Sequence, residues 1–295
     1  MTQTALILGA SGKIGRHFTA AFKAAGWQTR AFTRGTDMNA AAQGCDVIVN
    51  GMNPPAYHDW DRILPAITRQ VIDAAKASGA TVLFPGNVYV YGAQPGPWSE
   101  ATPHAPCSRK GEIRKQVEAM YRTAAEDGVQ TIILRAGDFL TPEVGDSFVD
   151  VAYLRSLSKG KITAMGDPKA KRAHAWLPDM ARAGAMLAEA RDTLPAFSDV
   201  PLPGLCFSTE QFAQEVGRQT GRSLSIAHLP WWLFTVTSPV WELAREMREM
   251  RYLYSTPHSL SGTKLAQLLP AFEPTSFEQV IAEILTVRQI SAAAA

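Results

Sequence analysis

The chain has little cysteine, almost no net charge and no long apolar run, and each shortage removes a class of function. Its three cysteines, Cys45, Cys107 and Cys206, are odd in number and far apart. They offer neither a disulfide framework nor the spacing of a zinc site, and they fit a reducing compartment. Histidines occur singly, without the clustering that a metal needs. The 29 basic and 27 acidic residues leave a net charge of +2, too small to point to nucleic acid or an anionic membrane. The most apolar late stretch, Leu229 to Trp241, is broken by Pro230 and Pro239 and is too short to span a bilayer. The first apolar run stops at Leu8-Gly9, too early for a signal peptide. A cytoplasmic protein without a nucleic-acid or membrane partner is expected. Its 295 residues can bury a full core in one large domain or two interlocked ones.

What the chain does have is concentrated at its beginning. Ala5 to Leu8 reads as a strand buried on both faces. It runs into Gly9-Ala10-Ser11-Gly12-Lys13-Ile14-Gly15, three glycines spaced G-x-x-G-x-x-G, and then into a helical segment ending near Ala25-Gly26. Gly9 permits the tight turn, Gly12 lets backbone N–H groups approach a pyrophosphate, and Gly15 lets helix and strand pack closely. The helix N-terminus adds the positive end of a dipole, so this turn points to a dinucleotide.

The end of the second strand, Gln28 to Thr33, bears on which dinucleotide. An NAD site usually carries an acidic residue there for the ribose 2′-hydroxyl. Here Thr33-Arg34 occupy the position, with Lys13 and Arg16 near the same corner, so the 2′-phosphate of NADP is the better guest, with NAD as the alternative. Only eleven residues separate Arg34 from Asp46, where the strand Val47-Ile48-Val49 approaches. That is too short for a crossover helix, a third strand and a return, so the third strand is expected to be missing or vestigial. Asn50-Gly51-Met52 follow at the carboxyl end of their strand, where such sheets bind ligands.

Beyond this point strands and helices alternate, with helices at about 60–78 and 109–127 and strands at 81–85 and 131–134, as in a parallel sheet with right-handed crossovers. Later helices are expected at about 148–158, 180–190 (Asp179 as N-cap), 209–220, 239–254 and 277–288, with a strand at 161–165. The fold class is α/β, a doubly wound parallel Rossmann sheet with a smaller C-terminal α/β domain. The dinucleotide domain is placed at 1–145 plus about 172–192, and the substrate domain at about 146–171 and 193–295.

These residues resemble the extended short-chain dehydrogenase/reductases of the NAD-dependent epimerase/dehydratase type. The likeness rests on the glycine loop, Asp46-Val47-Ile48-Val49-Asn50, Val90-Tyr91-Gly92 as that family's V-Y-G, Arg135 through Thr141-Pro142, and His174 to Asp179 before a late helix. It implies a nicotinamide cofactor, a small-molecule substrate and a homodimer through the helices at 60–78 and 109–127.

The family's catalytic set is a Ser or Thr followed by Y-x-x-x-K, and here it is absent. None of the seven tyrosines has a lysine four residues on. Aligned on Val90-Tyr91-Gly92, Asn87 takes the Ser/Thr place. Aligned on Glu118, Lys110 and Arg114 take the Tyr and Lys places. Lys110 can exchange a proton and Arg114 cannot, and the two cations could bind or polarise an anionic substrate. Tyr91 could supply the missing phenol, or pack. Asp138 could hold the nicotinamide carboxamide, act as a base, or cap a strand end. Tyr57, His174, Trp176 and Tyr252 either face the substrate or fill the core, and the same holds for Trp231, Trp232 and Arg248. Two functions follow: an NADP(H)-dependent oxidoreductase or epimerase for a small carbonyl or hydroxyl substrate, and a non-catalytic redox sensor that only binds the cofactor.

Overall fold

The computed structural model describes residues 2–145 and 148–290, with residue 148 described by its backbone alone. The first half alternates strands and helices: β1 (Thr4–Leu8), α1 (Lys13–Ala24), β2 (Gln28–Ala31), α2 (Met38–Ala42), β3 (Val47–Asn50), α3 (Trp60–Ser78), β4 (Thr81–Gly86), α4 (Arg109–Glu126) and β5 (Thr131–Arg135). Then come β6 (Asp138–Leu140), α5 (Phe148–Val151), β7 (Lys161–Ala164), β8 (Arg172–Trp176), α6 (Leu177–Glu189) and β9 (Phe197–Pro201). The chain closes with β10 (Leu205–Phe207), α7 (Thr209–Thr220), β11 (Ser225–His228), α8 (Trp231–Thr237), α9 (Glu242–Glu249), α10 (Thr263–Leu268) and α11 (Phe277–Val287).

Six strands form one parallel sheet in the order β2-β1-β3-β4-β5-β9. The runs Leu6 to Leu8, Val47 to Val49 and Val82 to Phe84 are apolar on both faces because helices cover both. On one side Ile7, Val49 and Leu83 meet Phe18 and Phe22 of α1 and Met180 and Leu187 of α6. On the other, Leu6, Ile48 and Phe84 meet Leu64 and Val71 of α3 and Val117 and Tyr121 of α4. Only α2 lies between β2 and β3, so β2 is an edge strand. Along that edge Arg30 donates to the carbonyls of Ala41 and Gln43 at 2.7 and 2.9 Å.

A second layer sits over the carboxyl end of β5. It contains β10-β8-β6, with β8 parallel to β6 and antiparallel to β10, and the parallel pair β7–β11. Its core joins Tyr153, Trp176, Phe207 and Phe212 to Ile281 and Ile284 of α11.

Several boundaries differ from the sequence expectation. Phe197–Pro201, assigned there to the smaller domain, is the sixth strand of the main sheet, and Leu265 and Leu269 also pack into the main core. Arg172–Trp176, assigned to the dinucleotide domain, belongs to the second layer's sheet. The stretch expected as one helix near 148–158 is the short α5 followed by a 3-10 turn, Tyr153–Lys159. A single helix over 239–254 is also not formed: α8 ends before Pro239, whose missing N–H cannot continue it, and α9 begins at Glu242. Asp179 lies inside α6 rather than capping it, because Pro178 starts the helix earlier. Its carboxylate accepts instead from the N–H and hydroxyl of Thr275, at 2.6 and 2.9 Å. Among the described residues no helix is long and apolar enough to cross a membrane.

Candidate active site

Two adjoining clefts open along the carboxyl edge of the main sheet. The inner one, about 630 Å³, runs from Ser11, Gly12, Lys13 and Ile14 past Asn50 to Met52, Asn87 and Tyr89, and ends at Arg114 and Asp138. The outer one, about 680 Å³, holds Arg34, Asp37 and Met38. Met52 to Pro55 border both, so the two form one continuous groove.

The glycine loop has the geometry that a diphosphate requires. Gly9 turns at φ +75°, and a Cβ on Gly15 would lie 2.2 Å from the Gly9 carbonyl oxygen. A Cβ on Gly51 would lie 2.9 Å from the Leu8 oxygen, so β1, β3 and α1 meet through bare backbone. At the start of α1, the N-cap Gly12 offers no side-chain cap and no acidic residue occupies the first turn. The helix's first N–H groups and dipole therefore meet no carboxylate of their own helix. Asn50 is buried with its amide nitrogen 3.0 Å from the Tyr121 hydroxyl, and its oxygen accepts from Met52 N–H.

At the outer end Arg34 faces the groove, while Thr33 lies outside the lining and its carbonyl accepts from the Thr36 hydroxyl. Two carboxylates line this cleft, Asp73 of α3 and, three residues past Arg34, Asp37. Asp37 caps α2 by accepting from the N–H groups of Asn39 and Ala40, a commitment that needs the tertiary turn and is invisible in spacing.

The expected catalytic residues do not stay together. Asn87 lines the inner cleft, its side-chain oxygen accepting from Tyr89 N–H at 3.0 Å. Arg114 lines it as well, donating to Asn53 at 2.7 Å and stacking 4.6 Å from the Trp60 ring. Its Nε is buried without a hydrogen-bond partner, and burial pulls its pKa below the usual arginine value. Lys110 does not line the cleft. Its buried ammonium lies between two carboxylates of α9, Glu246 and Glu249 (2.7 Å to the latter), and its backbone N–H donates to Glu249 as well. The ammonium is thereby committed to two carboxylates away from the cleft lining, as a structural cation is. Replacing Lys110 with methionine should lower stability by about 2–4 kcal/mol in urea unfolding, since Glu246 would remain buried without its closest cation. A variant with unchanged stability and lost turnover would restore the catalytic assignment.

Tyr91 also turns away. It is fully buried, stacks on Trp98 at 4.8 Å, and donates to the Ser99 carbonyl. Burial raises its pKa above the ordinary phenol value. Of the residues expected near substrate, Tyr57 lines the cleft, and His174, Trp176 and Tyr252 do not. His174 is buried between the Arg172 carbonyl and the Tyr153 hydroxyl, each at 2.8 Å, and stacks on Phe207; burial holds its pKa well below the usual imidazole value. Trp176 fills the second-layer core, and Tyr252 packs against the cluster around Tyr91. Asp138 does face the cleft, with its carboxylate held by Arg172 at 2.6 Å.

The residue that sequence reasoning passed over is Tyr89. Its hydroxyl lies 3.3 Å from that of Tyr57, and both phenols face the inner cleft. Tyr57 sits in a strained loop: Ala56, Tyr57 and Asp59 have φ of 53°, 64° and 49°. Left-handed non-glycine residues cost about 1–3 kcal/mol each and gather where a site holds a side chain in a required place. Behind the cleft, His104, Glu118 and Asp199 bring ligand atoms within 4.8 Å of one another, but the Arg135 guanidinium already supplies the cation among them.

Comparison with known proteins agrees with the fold. Residues 62–200 match the model of the NAD dependent epimerase/dehydratase family. A comparison with curated proteins finds no match. Among solved structures, MoeE5 bound to UDP-glucose and NAD superposes with a TM-score of 0.77 at 16% identity, over 97% of this chain and 98% of that one. UDP-glucuronic acid 4-epimerase from Bacillus cereus, in complex with NAD, gives 0.77 at 17% identity over 97% of each chain. RMD from Pseudomonas aeruginosa, complexed with NADPH, gives 0.70 at 16% identity over 97% and 98%. The chain thus has the fold of the extended short-chain dehydrogenase/reductases and, across residues 62–200, the sequence pattern of the NAD dependent epimerase/dehydratase family.

Proposed function

We propose that the protein is an NADP(H)-dependent oxidoreductase or epimerase acting on a small carbonyl or hydroxyl substrate. The observation that carries this reading is the continuous groove from Arg34, past the open N-terminus of α1, to Asn87, Tyr89, Arg114 and Asp138. The bare-backbone loop would hold the pyrophosphate and Arg34 a 2′-phosphate, since the one carboxylate close by in sequence, Asp37, is engaged as a helix cap. The bound nicotinamide would supply or accept hydride at the inner end. There Arg114 brings positive charge and an unpartnered Nε beside the cleft, which suits an anionic or strongly polar substrate. Asp138, fixed by Arg172, orients polar groups. The second layer over this end is the substrate-binding side.

One observation favours the alternative of a cofactor sensor: Lys110, in the place of the family's tyrosine, is locked into ion pairs away from the cleft. Titration with NADPH and NADH, followed by NADPH oxidation with a panel of small carbonyl compounds, separates the two. An enzyme consumes NADPH, whereas a sensor binds it and transfers nothing. Arg34→Ala should weaken NADPH about tenfold and leave NADH unchanged, which is the worth of one charge-assisted contact. Equal loss for both cofactors would remove the 2′-phosphate assignment.

A further inference from the structure

We infer that Tyr57 is the proton donor to the substrate oxygen, with Tyr89 as its hydrogen-bonded support; this rests on the oxidoreductase reading above. A carbonyl that receives hydride leaves a charged oxygen, which needs a proton from a group lining the cleft. The Asn87 amide is too weak an acid to give up a proton, and Arg114 cannot release one. Asp138 is ion-paired to Arg172, and Ser11, Lys13 and Arg16 lie at the glycine-loop end. Tyr57 and Tyr89 remain among the described lining residues.

Of the two, Tyr57 is placed for the task. Lys110 Nζ lies 5.0 Å from its ring centroid, and Arg114 shares the same cleft wall. The Arg114 charge favours the negative charge that a departing proton leaves on that ring, whereas the Lys110 charge is already matched by Glu246 and Glu249. The Tyr89 hydroxyl, 3.3 Å away, can donate to the phenolate oxygen as it forms. The other charged groups acting on Tyr57, Asp138 and Glu246, oppose that charge, so the Tyr89 hydrogen bond and Arg114 are what favour it. Burial pushes both phenols above their ordinary pKa, so both keep their protons at neutral pH, as donors must. The strained backbone at Ala56, Tyr57 and Asp59 fixes this ring in the cleft.

The step balances. A reduced nicotinamide bound at the inner end would supply the hydride to the substrate carbon and be oxidised, while the Tyr57 O–H bond breaks and an O–H bond forms on the substrate. Tyr57 then regains a proton from solvent through Tyr89.

The test uses the full chain and the variants Tyr57→Phe, Tyr57→His and Tyr89→Phe. It measures NADPH affinity, carbonyl-dependent NADPH oxidation, and tyrosinate absorbance of the cofactor-free protein against pH. Tyr57→Phe should lower kcat by about 100-fold or more while NADPH affinity stays within about twofold. Tyr57→His, which keeps a proton donor, should recover part of that rate. Tyr89→Phe should lower kcat by about tenfold and move one tyrosine transition to higher pH, because the ionised Tyr57 loses its donor. That transition should be missing from Tyr57→Phe. Wild-type kcat in Tyr57→Phe, or an unmoved transition in Tyr89→Phe, overturns the assignment even if the enzyme is active. A wild-type protein that binds NADPH and reduces none of the carbonyl compounds fails the oxidoreductase reading, and the role of Tyr57 with it.

Discussion

Replacing Arg135 with leucine should destabilise the protein by about 3–5 kcal/mol, the cost of leaving buried charge without its partner. Arg135 is fully buried on β5 and bonds to Glu118 on α4 and Asp199 on β9, with its shortest contacts at 2.7 and 2.6 Å. Both carboxylates hold the guanidinium's charge strongly, outweighing its burial. Leucine would keep much of the volume but leave both carboxylates facing apolar surroundings. His104, 3.7 Å from Glu118, is the nearest replacement cation, and burial keeps its pKa low. Arg135 also donates to the Asn87 carbonyl at 2.6 Å, so the loss would loosen the turn that places Asn87 and Tyr89 in the cleft. Urea unfolding of the two proteins at neutral pH checks the value. A loss below about 1 kcal/mol would mean that water reaches the carboxylates and that the cluster is not the sealed unit described.

Gly15→Ala should reduce NADPH affinity by about 100-fold, or about 2.7 kcal/mol. The added methyl would fall 2.2 Å from the Gly9 oxygen and 2.6 Å from Ala10 Cα. Backbone atoms cannot rotate aside as a flexible side chain can, so α1 must move off the turn. Its first N–H groups would then lose their aim at the pyrophosphate. Fluorescence titration with NADPH measures the change, with circular dichroism confirming that the fold persists. Affinity within about threefold of wild type would show that the phosphate is held elsewhere.

The glycine loop and the parallel sheet were legible in the sequence because their causes are local: short apolar runs, glycines at fixed spacing, helices closed by glycine. The length between Arg34 and Asp46 likewise fitted the observed passage from β2 through α2 to β3. The candidate catalytic residues were less legible because their surroundings depend on partners far along the chain. Lys110 reads as a free cation until Glu246 and Glu249, more than 130 residues later, fold onto it. Tyr91 and Tyr89 stand two residues apart on one 3-10 turn and therefore point to different surroundings. One enters the Trp98 stack and the other the cleft, and only the tertiary structure tells them apart. Phe197–Pro201 was misplaced for a related reason, since a sixth strand after a long excursion carries no local mark of which sheet it will join.

The short passage between β2 and β3 has a consequence for how the molecule avoids its own kind. Without a neighbour beyond it, β2 is an open sheet edge, the type of surface on which a second chain can add a strand and begin an aggregate. Here the edge is only four residues long and centres on a polar pair, Thr29 and Arg30. Arg30 donates to the carbonyls of Ala41 and Gln43, which holds a charged side chain on this short edge strand, and charge on an edge opposes the docking of a foreign strand. The economy that shortened the sheet also set a guard on its border.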